Sequence, residues 1–498
     1  MLSLHKEILK TNLYFGMESK LVIAEKTNSG ADWRALLGKT LEEEHHYQPV
    51  IQGAIPKGLN GVLYRNGPGR FERGNKSKNS LLDGDGLIQA FHILDGKVSY
   101  QNRYVRTEKF LEEEKAGNFL NETWTTRAPG GFLKNLGAPD IKSQAGIVPH
   151  YRNGKLYAFD EVDYPYVLDG ETLETYGPEK IGSGALKNFK AHTKIDAKNG
   201  DWVLFGTEFG RVMKAHVIIQ GGNGSIKSQF CVDLPRSAYM HDFFVTENYV
   251  ILNLQPAGLN LLPMMIGAKS FVEALKWEPN KGNLLVLLNK NGSEEPIIIE
   301  APTAWMWHSY NAYEVKDKII ADFIGYEEPD HFLGNEAAFK TIMKGNIGTS
   351  NSKGRPRRYE IDIARKTATE TILSNQSCEF PIIHPANGSY VHSKGYASMG
   401  THNNIFHSAV TSLDFSSGAT DSFDFGDHIH VGEAIFAADP AHPTDESRGW
   451  LMTVGLDGNT GNSFLAILDA SALSNGPVAT LQLTHHTPLS FHGFWRAI

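Results

Sequence analysis

The chain predicts an all-β fold of many short hairpins, and radial repetition in a β-propeller accommodates them best. Three observations carry this. Apolar or alternating runs of about four to eight residues recur from about residue 48 onward. Asn-Gly and Asp-Gly pairs, the strongest short-range hairpin signals, punctuate them. Helical periodicity is sparse, with better candidates only at 266–276 and 331–344. The runs amount to about twenty-five or more strands, which a propeller buries on both faces while leaving only short edges. A pair of barrels or sandwiches is the competing architecture.

In chain order, residues 1–40 read as a poorly specified arm, with Met17 as an alternative start and helical potential around 33–44. Residues 41–498 read as one domain. FHIL-DG-KVSYQNRYV (91–105) and YRNGKLYAF (151–159) are hairpins, as are YPYVLDGETLETYG (164–177) and HTKIDAKNGDWVLFGT (192–207). Further hairpins are HVIIQGGNGSIKSQFCV (216–232), LLVLLNKNGSEEPIIIE (284–300), RYEIDIARKTATETIL (358–373) and WLMTVGLDGNTGNSFLAILD (450–469).

Composition narrows the function. The net charge of −8 over 498 residues gives no basic stripe, so nucleic acid is not an expected partner. Two cysteines, Cys231 and Cys378, supply neither a disulfide framework nor a thiolate metal site, and each reads as a small buried residue. A reducing, cytoplasmic setting is expected. No apolar run is long enough to span a bilayer, and the N-terminus is too weakly apolar for a secretory signal. Phosphate-loop, nucleophile-elbow, H-E-x-x-H and dinucleotide-binding signatures are missing.

Among twenty histidines, the adjacent pairs 45/46 and 485/486 would point to opposite faces of a strand. His428 and His430, two apart, are a weak alternative ligand pair. His192, His241, His308 and His492 each sit at the end of an apolar, aromatic run, in different structural units. Such residues could converge on a propeller axis. Four neutral imidazoles suit zinc, iron, copper or nickel, and an octahedral ion so held keeps two positions free. A tetrahedral zinc would be closed.

The segments AHTKID, YMHDFFVTENYVIL, WHSYNAYE and FHGFW carry these histidines, and they resemble the motifs of the carotenoid cleavage oxygenase family. IPKGLNGVLYRNGPGRF (55–71) and LLDGDGLIQAFHILDGKVSYQNRYVRTEKF (81–110) resemble its opening blade, so the likeness covers about 45–498. The resemblance implies a seven-bladed β-propeller with a helical and loop cap over an iron-bearing axis. It implies one Fe(II) per chain on the four histidines, with O2 as co-substrate. It further implies Glu161, Glu379 and Glu433 as carboxylates that hydrogen-bond the outer nitrogens of the iron ligands. Three glutamates for four histidines leave one ring without such a partner.

The implied reaction is oxidative cleavage of a conjugated C=C bond of an apocarotenoid or carotenoid to two carbonyl products, with a lipophilic polyene as substrate. Stilbene or phenylpropene cleavage is the alternative within the family. Its branch typically carries Lys just before the glutamate matching Glu161, where this chain has Asp160, whose carboxylate would repel a phenolate. Tyr100 lies near the branch's phenol-binding position, and reads equally as a strand tyrosine. Trp307, Phe491 and Trp495 are candidates for shaping a substrate tunnel. The apolar stretch 255–277, with Leu259, Leu261, Leu262, Met264, Met265 and Ile266, is suited to dipping peripherally into a membrane. Polyene isomerisation and a non-enzymatic binding propeller are the remaining readings.

Overall fold

Asp95-Gly96 (φ 51° and 75°) and Asn153-Gly154 (φ 49° and 80°) both take the left-handed conformation that a two-residue hairpin requires. They close the registers Leu94↔Lys97 and Arg152↔Lys155. Other turn pairs sit in longer loops: Asp457 pairs with Asn462 and Ile195 with Trp202. The computed structural model describes residues 32–498 apart from 138–139, 184–185, 187, 349 and 401–405. The expected arm lies outside the described residues as far as residue 31.

The hairpins assemble into seven antiparallel sheets of four or five strands, with two small two-stranded ribbons beside them. This is a seven-bladed β-propeller. One edge strand of each sheet faces the axis: Val148–Arg152, Lys194–Ile195, Phe244–Val245, Trp305–Val315, Ser377–Ile383, Ile429–Ala438 and His492–Ala497, for blades 1 to 7. Those of blades 4 to 7 and blade 1 touch their neighbours in turn. Two joints lock the ring. C-terminal His492–Ala497 pairs with Gly61–Arg70 in blade 7, and N-terminal Val50–Gly53 adds an outer strand to blade 6.

Each blade packs apolar side chains against the next. Phe205, Val217, Leu252 and Val286 fill the gap between blades 2 and 3, and Ile251, Leu287, Phe323 and Tyr359 the gap between blades 3 and 4. Burial on both faces explains why many strands read as continuous apolar runs rather than as alternations.

Helices are few. Glu108–Ala116, capped by Thr107 and Gly117, passed unnoticed in the sequence because it is short and six of its nine residues are charged, which leaves little apolar period. The 266–276 and 331–344 regions yield only single helical turns, Phe271–Ala274, Ala338–Thr341 and Ile342–Lys344, and a further one, Leu261–Met265, lies just before the first region. Trp33–Gly38 is a 3-10 turn, with Leu37 beside Phe71 and Leu489. Cys378 is buried as expected, whereas Cys231 lies on the exposed face of an outer strand. No described helix is long and apolar enough to cross a membrane.

Candidate metal centre

His192 and His241 stand just before the inner strands of blades 2 and 3, His308 lies within that of blade 4, and His492 begins that of blade 7. The edge strands bring them together: the candidate ligand nitrogens all lie within 4.8 Å of one another. Irregular pairing aims several side chains. Register shifts fall between Met306 and Ser309 and between Val431 and Ala434, bracketing His308 and Glu433, and between Glu379 and Ile382, beginning at Glu379. A bulge of this kind turns a side chain off the regular alternation. Asp242 braces the arrangement, accepting from Ser309 N–H at 2.8 Å and from Lys194 Nζ at 2.9 Å.

The three expected glutamates meet three of the rings. His308 Nδ1–H donates to Glu379 at 2.5 Å and His492 Nδ1–H to Glu433 at 2.9 Å, while His241 Nδ1–H donates to Glu161. With Nδ1 carrying the proton, Nε2 keeps its lone pair for a cation. His192 has no carboxylate partner among the described residues; its Nε2 lies 3.1 Å from that of His241. His308 Nε2 is buried with no hydrogen-bond partner.

Ring spacing tests the coordination number. A metal–nitrogen bond of about 2.1 Å with the ring centre about 1.1 Å further puts cis rings about 4.5 Å apart, trans rings about 6.4 Å, and tetrahedral rings all about 5.2 Å. Five centroid pairs measure 4.5 to 5.2 Å, and His241–His492 alone measures 6.5 Å. One trans pair and five cis pairs is the pattern of an octahedron with two adjacent positions free of protein ligands. The four imidazoles therefore fit a six-coordinate divalent ion better than closed tetrahedral zinc.

Electrostatics supports a cation. Burial, followed by the three neighbouring rings, pushes the His192 pKa well down, and burial takes His492 to about 4. Burial would raise the Glu161 carboxyl, but Lys190 and His241 outweigh it and hold it below the usual range. Glu379 and Glu433 are likewise held low against burial, chiefly by His308 and by His492 with Arg65.

Two cations here escaped the sequence reading. Lys190, buried, donates to Glu161 at 2.9 Å. Arg65, wholly buried, donates to Glu433 at 3.0 Å. Lys190 stands two residues before His192, between Phe189 and Ala191, the one signal that pointed to it.

Beside the cluster opens a cavity lined mainly by apolar side chains. Trp307 and Phe491 line it, as expected; Trp495 instead packs into the core between blades 6 and 7. Tyr100 is also remote, bonded to Gln89 in that blade's outer strands. His430 lines the cavity but His428 is exposed against Trp33, so the two form no ligand pair. Asp160 does not face the cavity. It accepts from the backbone N–H groups of Gln144, Ala145 and Val162, so its carboxylate does not meet a ligand in the cavity directly.

Residues 38–497 match the sequence family described as retinal pigment epithelial membrane protein. The chain belongs to this family of carotenoid oxygenases. Within it, the chain is 29% identical over 485 residues to the apocarotenoid-15,15'-oxygenase of Synechocystis, covering 95% of this chain and 97% of that protein. It is 30% identical over 472 residues to isoeugenol monooxygenase of Pseudomonas nitroreducens, covering 89% and 93%. It is 26% identical to carotenoid 9,10(9',10')-cleavage dioxygenase 1 of Arabidopsis thaliana, covering 89% and 86%. Among solved carotenoid oxygenases, cobalt-substituted Synechocystis apocarotenoid oxygenase superposes with a TM-score of 0.88 at 28% identity, covering 94% of this chain and 98% of that one.

Proposed function

We propose that the chain is an Fe(II)-dependent dioxygenase that cleaves a conjugated C=C bond of an apocarotenoid or carotenoid to two carbonyl products. The observation that carries this is the His192, His241, His308 and His492 cluster, with its octahedral spacing, opening onto an apolar cavity. These residues would hold one ferrous ion per chain, which when bound supplies the activation of O2.

The chain's own residues do the rest. Glu161, Glu379 and Glu433 hold the Nδ1 protons and so keep each Nε2 directed inward. Trp307, Phe380 and Phe491 present ring faces and edges that orient a flat polyene and keep water out. No general acid or base is required. The substrate is lipophilic, and its entry suits a membrane-facing surface. Leu262 (67% exposed) and Leu133 (81% exposed) belong to segments joined by Gly137 N–H donating to the Met265 carbonyl at 2.8 Å. Together they form an apolar patch for peripheral contact, while Met264 turns inward to the core.

The test is incubation of Fe(II)-loaded protein with apocarotenals, carotenoids and hydroxystilbenes under 18-O2. Two labelled carbonyl fragments from a polyene are expected. An isomerised but uncleaved product, or turnover by metal-free protein, would overturn the proposal. A second reading, phenylpropene or stilbene cleavage, is favoured by the likeness to isoeugenol monooxygenase and by Asp160 turning away from the cavity. The same panel separates the two.

A further inference from the structure

The four rings stand between two hollows. Blades 3, 4 and 5 line both, and in each the earlier residues line the apolar cavity while the later ones line a second hollow on the axis. The pairs are His241 against Phe244, Trp307 and His308 against Ser309 and Asn311, and Phe380 against Ile383. The second hollow, an axial well, therefore lies on the far side of the cluster from the cavity. Its rim is open: Pro385, which lines it, is exposed.

His192 differs from the other three rings in ways that point to the well. His241, His308 and His492 line the cavity and His192 does not. It is the least deeply buried of the four, and the next residue, Thr193, lines the well. It is also the ring without a carboxylate partner among the described residues, so it is the least firmly held. Behind the cluster runs a tie across three blades. Lys194 Nζ donates to Asp242 at 2.8 Å and to Ser309 Oγ at 2.9 Å, and these three residues follow His192, His241 and His308 by one or two positions. The Asp242 side chain is 1% exposed and that of Lys194 24%, so the lysine is the member of the tie that reaches solvent.

We propose that the axial well is the route by which a divalent metal ion reaches the four histidines, with Lys194 as a latch over Asp242 and His192 as the ring that yields to let the ion pass. On the cavity side, Leu82, Ile147, Phe339 and Leu489 offer nothing to replace the water that a hydrated cation must shed. On the well side, Ser309 and Asn311 supply oxygen, and Asp242 supplies a carboxylate once the Lys194 ammonium swings out to solvent. Separate entrances let the metal be loaded or exchanged while the cavity stays dry for a lipophilic substrate. The proposal rests on the metal-centre reading and adds the point of entry.

The experiment follows Co(II) uptake by folded, metal-free protein, as metal per chain in timed samples quenched with chelator. A bulky maleimide on Pro385→Cys should plug the well and slow uptake several-fold relative to the same variant unlabelled. The chain also carries Cys231→Ser, because the native Cys231 is exposed, whereas Cys378 is 1% exposed and escapes the label. Lys194→Met takes a positive charge off the route and should speed uptake by about tenfold, while Lys194→Arg should keep the native rate. Equal rates with and without the label, or a Lys194→Met rate no faster than native, would overturn the proposal. The label comparison decides the matter even where a Lys194 variant fails to fold. Refolding in the presence of Co(II) separates the two readings. A centre that fills only during refolding would sink the route alone, and a chain that takes up no metal by either procedure would sink the metal centre itself.

Discussion

Glu379 and Glu433 both hold the outer nitrogen of a cluster histidine, yet replacing each with glutamine should have different consequences. Glu433 is shared. It accepts from His492 Nδ1–H at 2.9 Å, from Gly493 N–H at 2.7 Å and from Arg65 Nη1 at 3.0 Å, and the Arg65 side chain is 0% exposed. In Glu433→Gln the guanidinium keeps only neutral acceptors, Ser490 and the Glu433-position carbonyl. Breaking a buried pair by removing one charge costs about 3–5 kcal/mol. Among the described residues Glu379 has no lysine or arginine beside it: it accepts from His308 Nδ1–H and from the Phe380 N–H. Glu379→Gln keeps an oxygen for the His308 proton and loses only the charge behind it. That should weaken metal binding about 10- to 100-fold with little change in the fold. The assay pairs metal per chain after equilibration against a graded chelator with the urea midpoint of the metal-free protein. Glu433→Gln should shift both readings and Glu379→Gln only the first. Equal losses of urea resistance, or native-like chelator resistance in Glu379→Gln, would refute the reasoning.

Three further outcomes follow from the same structure. His308→Ala removes the ring at the 4-blade wall and should strip the metal and abolish turnover while leaving the circular dichroism spectrum intact; full activity in that variant would refute the ligand assignment. Asp85 is buried between Lys109 (2.5 Å) and Arg73 (3.1 Å), which hold its carboxyl low against burial. Because the folded pKa lies below the unfolded value of about 3.9, its stabilisation is present above that pH and is lost as pH falls through the folded pKa. Asp85→Asn should therefore lower stability at pH 7 and flatten the acid limb of the unfolding curve, read by denaturant midpoints from pH 7 to 3. Leu133→Asp with Leu262→Asp should reduce co-sedimentation with liposomes several-fold and leave metal content unchanged.

Hairpins were legible where two turn residues had to adopt positive φ, as at Asp95-Gly96 and Asn153-Gly154. The helix Glu108–Ala116 was not, since a short charged helix held by its caps leaves no apolar period to read. The site divided in the same way. His192, His241, His308 and His492, with Glu161, Glu379 and Glu433, stood out by motif. Lys190 and Arg65 did not, because a buried lysine or arginine looks like any other until its carboxylate partner is placed beside it. Asp160 stood out in the sequence but lies off the cavity wall. Its neighbour Glu161 faces the cluster, while its own carboxylate turns to three backbone amides.

By itself the amino-acid order determined the strand-rich class, the turn positions and the identity of the imidazoles and carboxylates at the centre, because these depend on local backbone preference and on short motifs. Only the tertiary structure decided that His192 is the ring without a carboxylate partner among the described residues, and that one ring pair lies opposite while five lie adjacent. Those facts arise between residues from different blades, where the closing of the ring sets distances that chain separation leaves free.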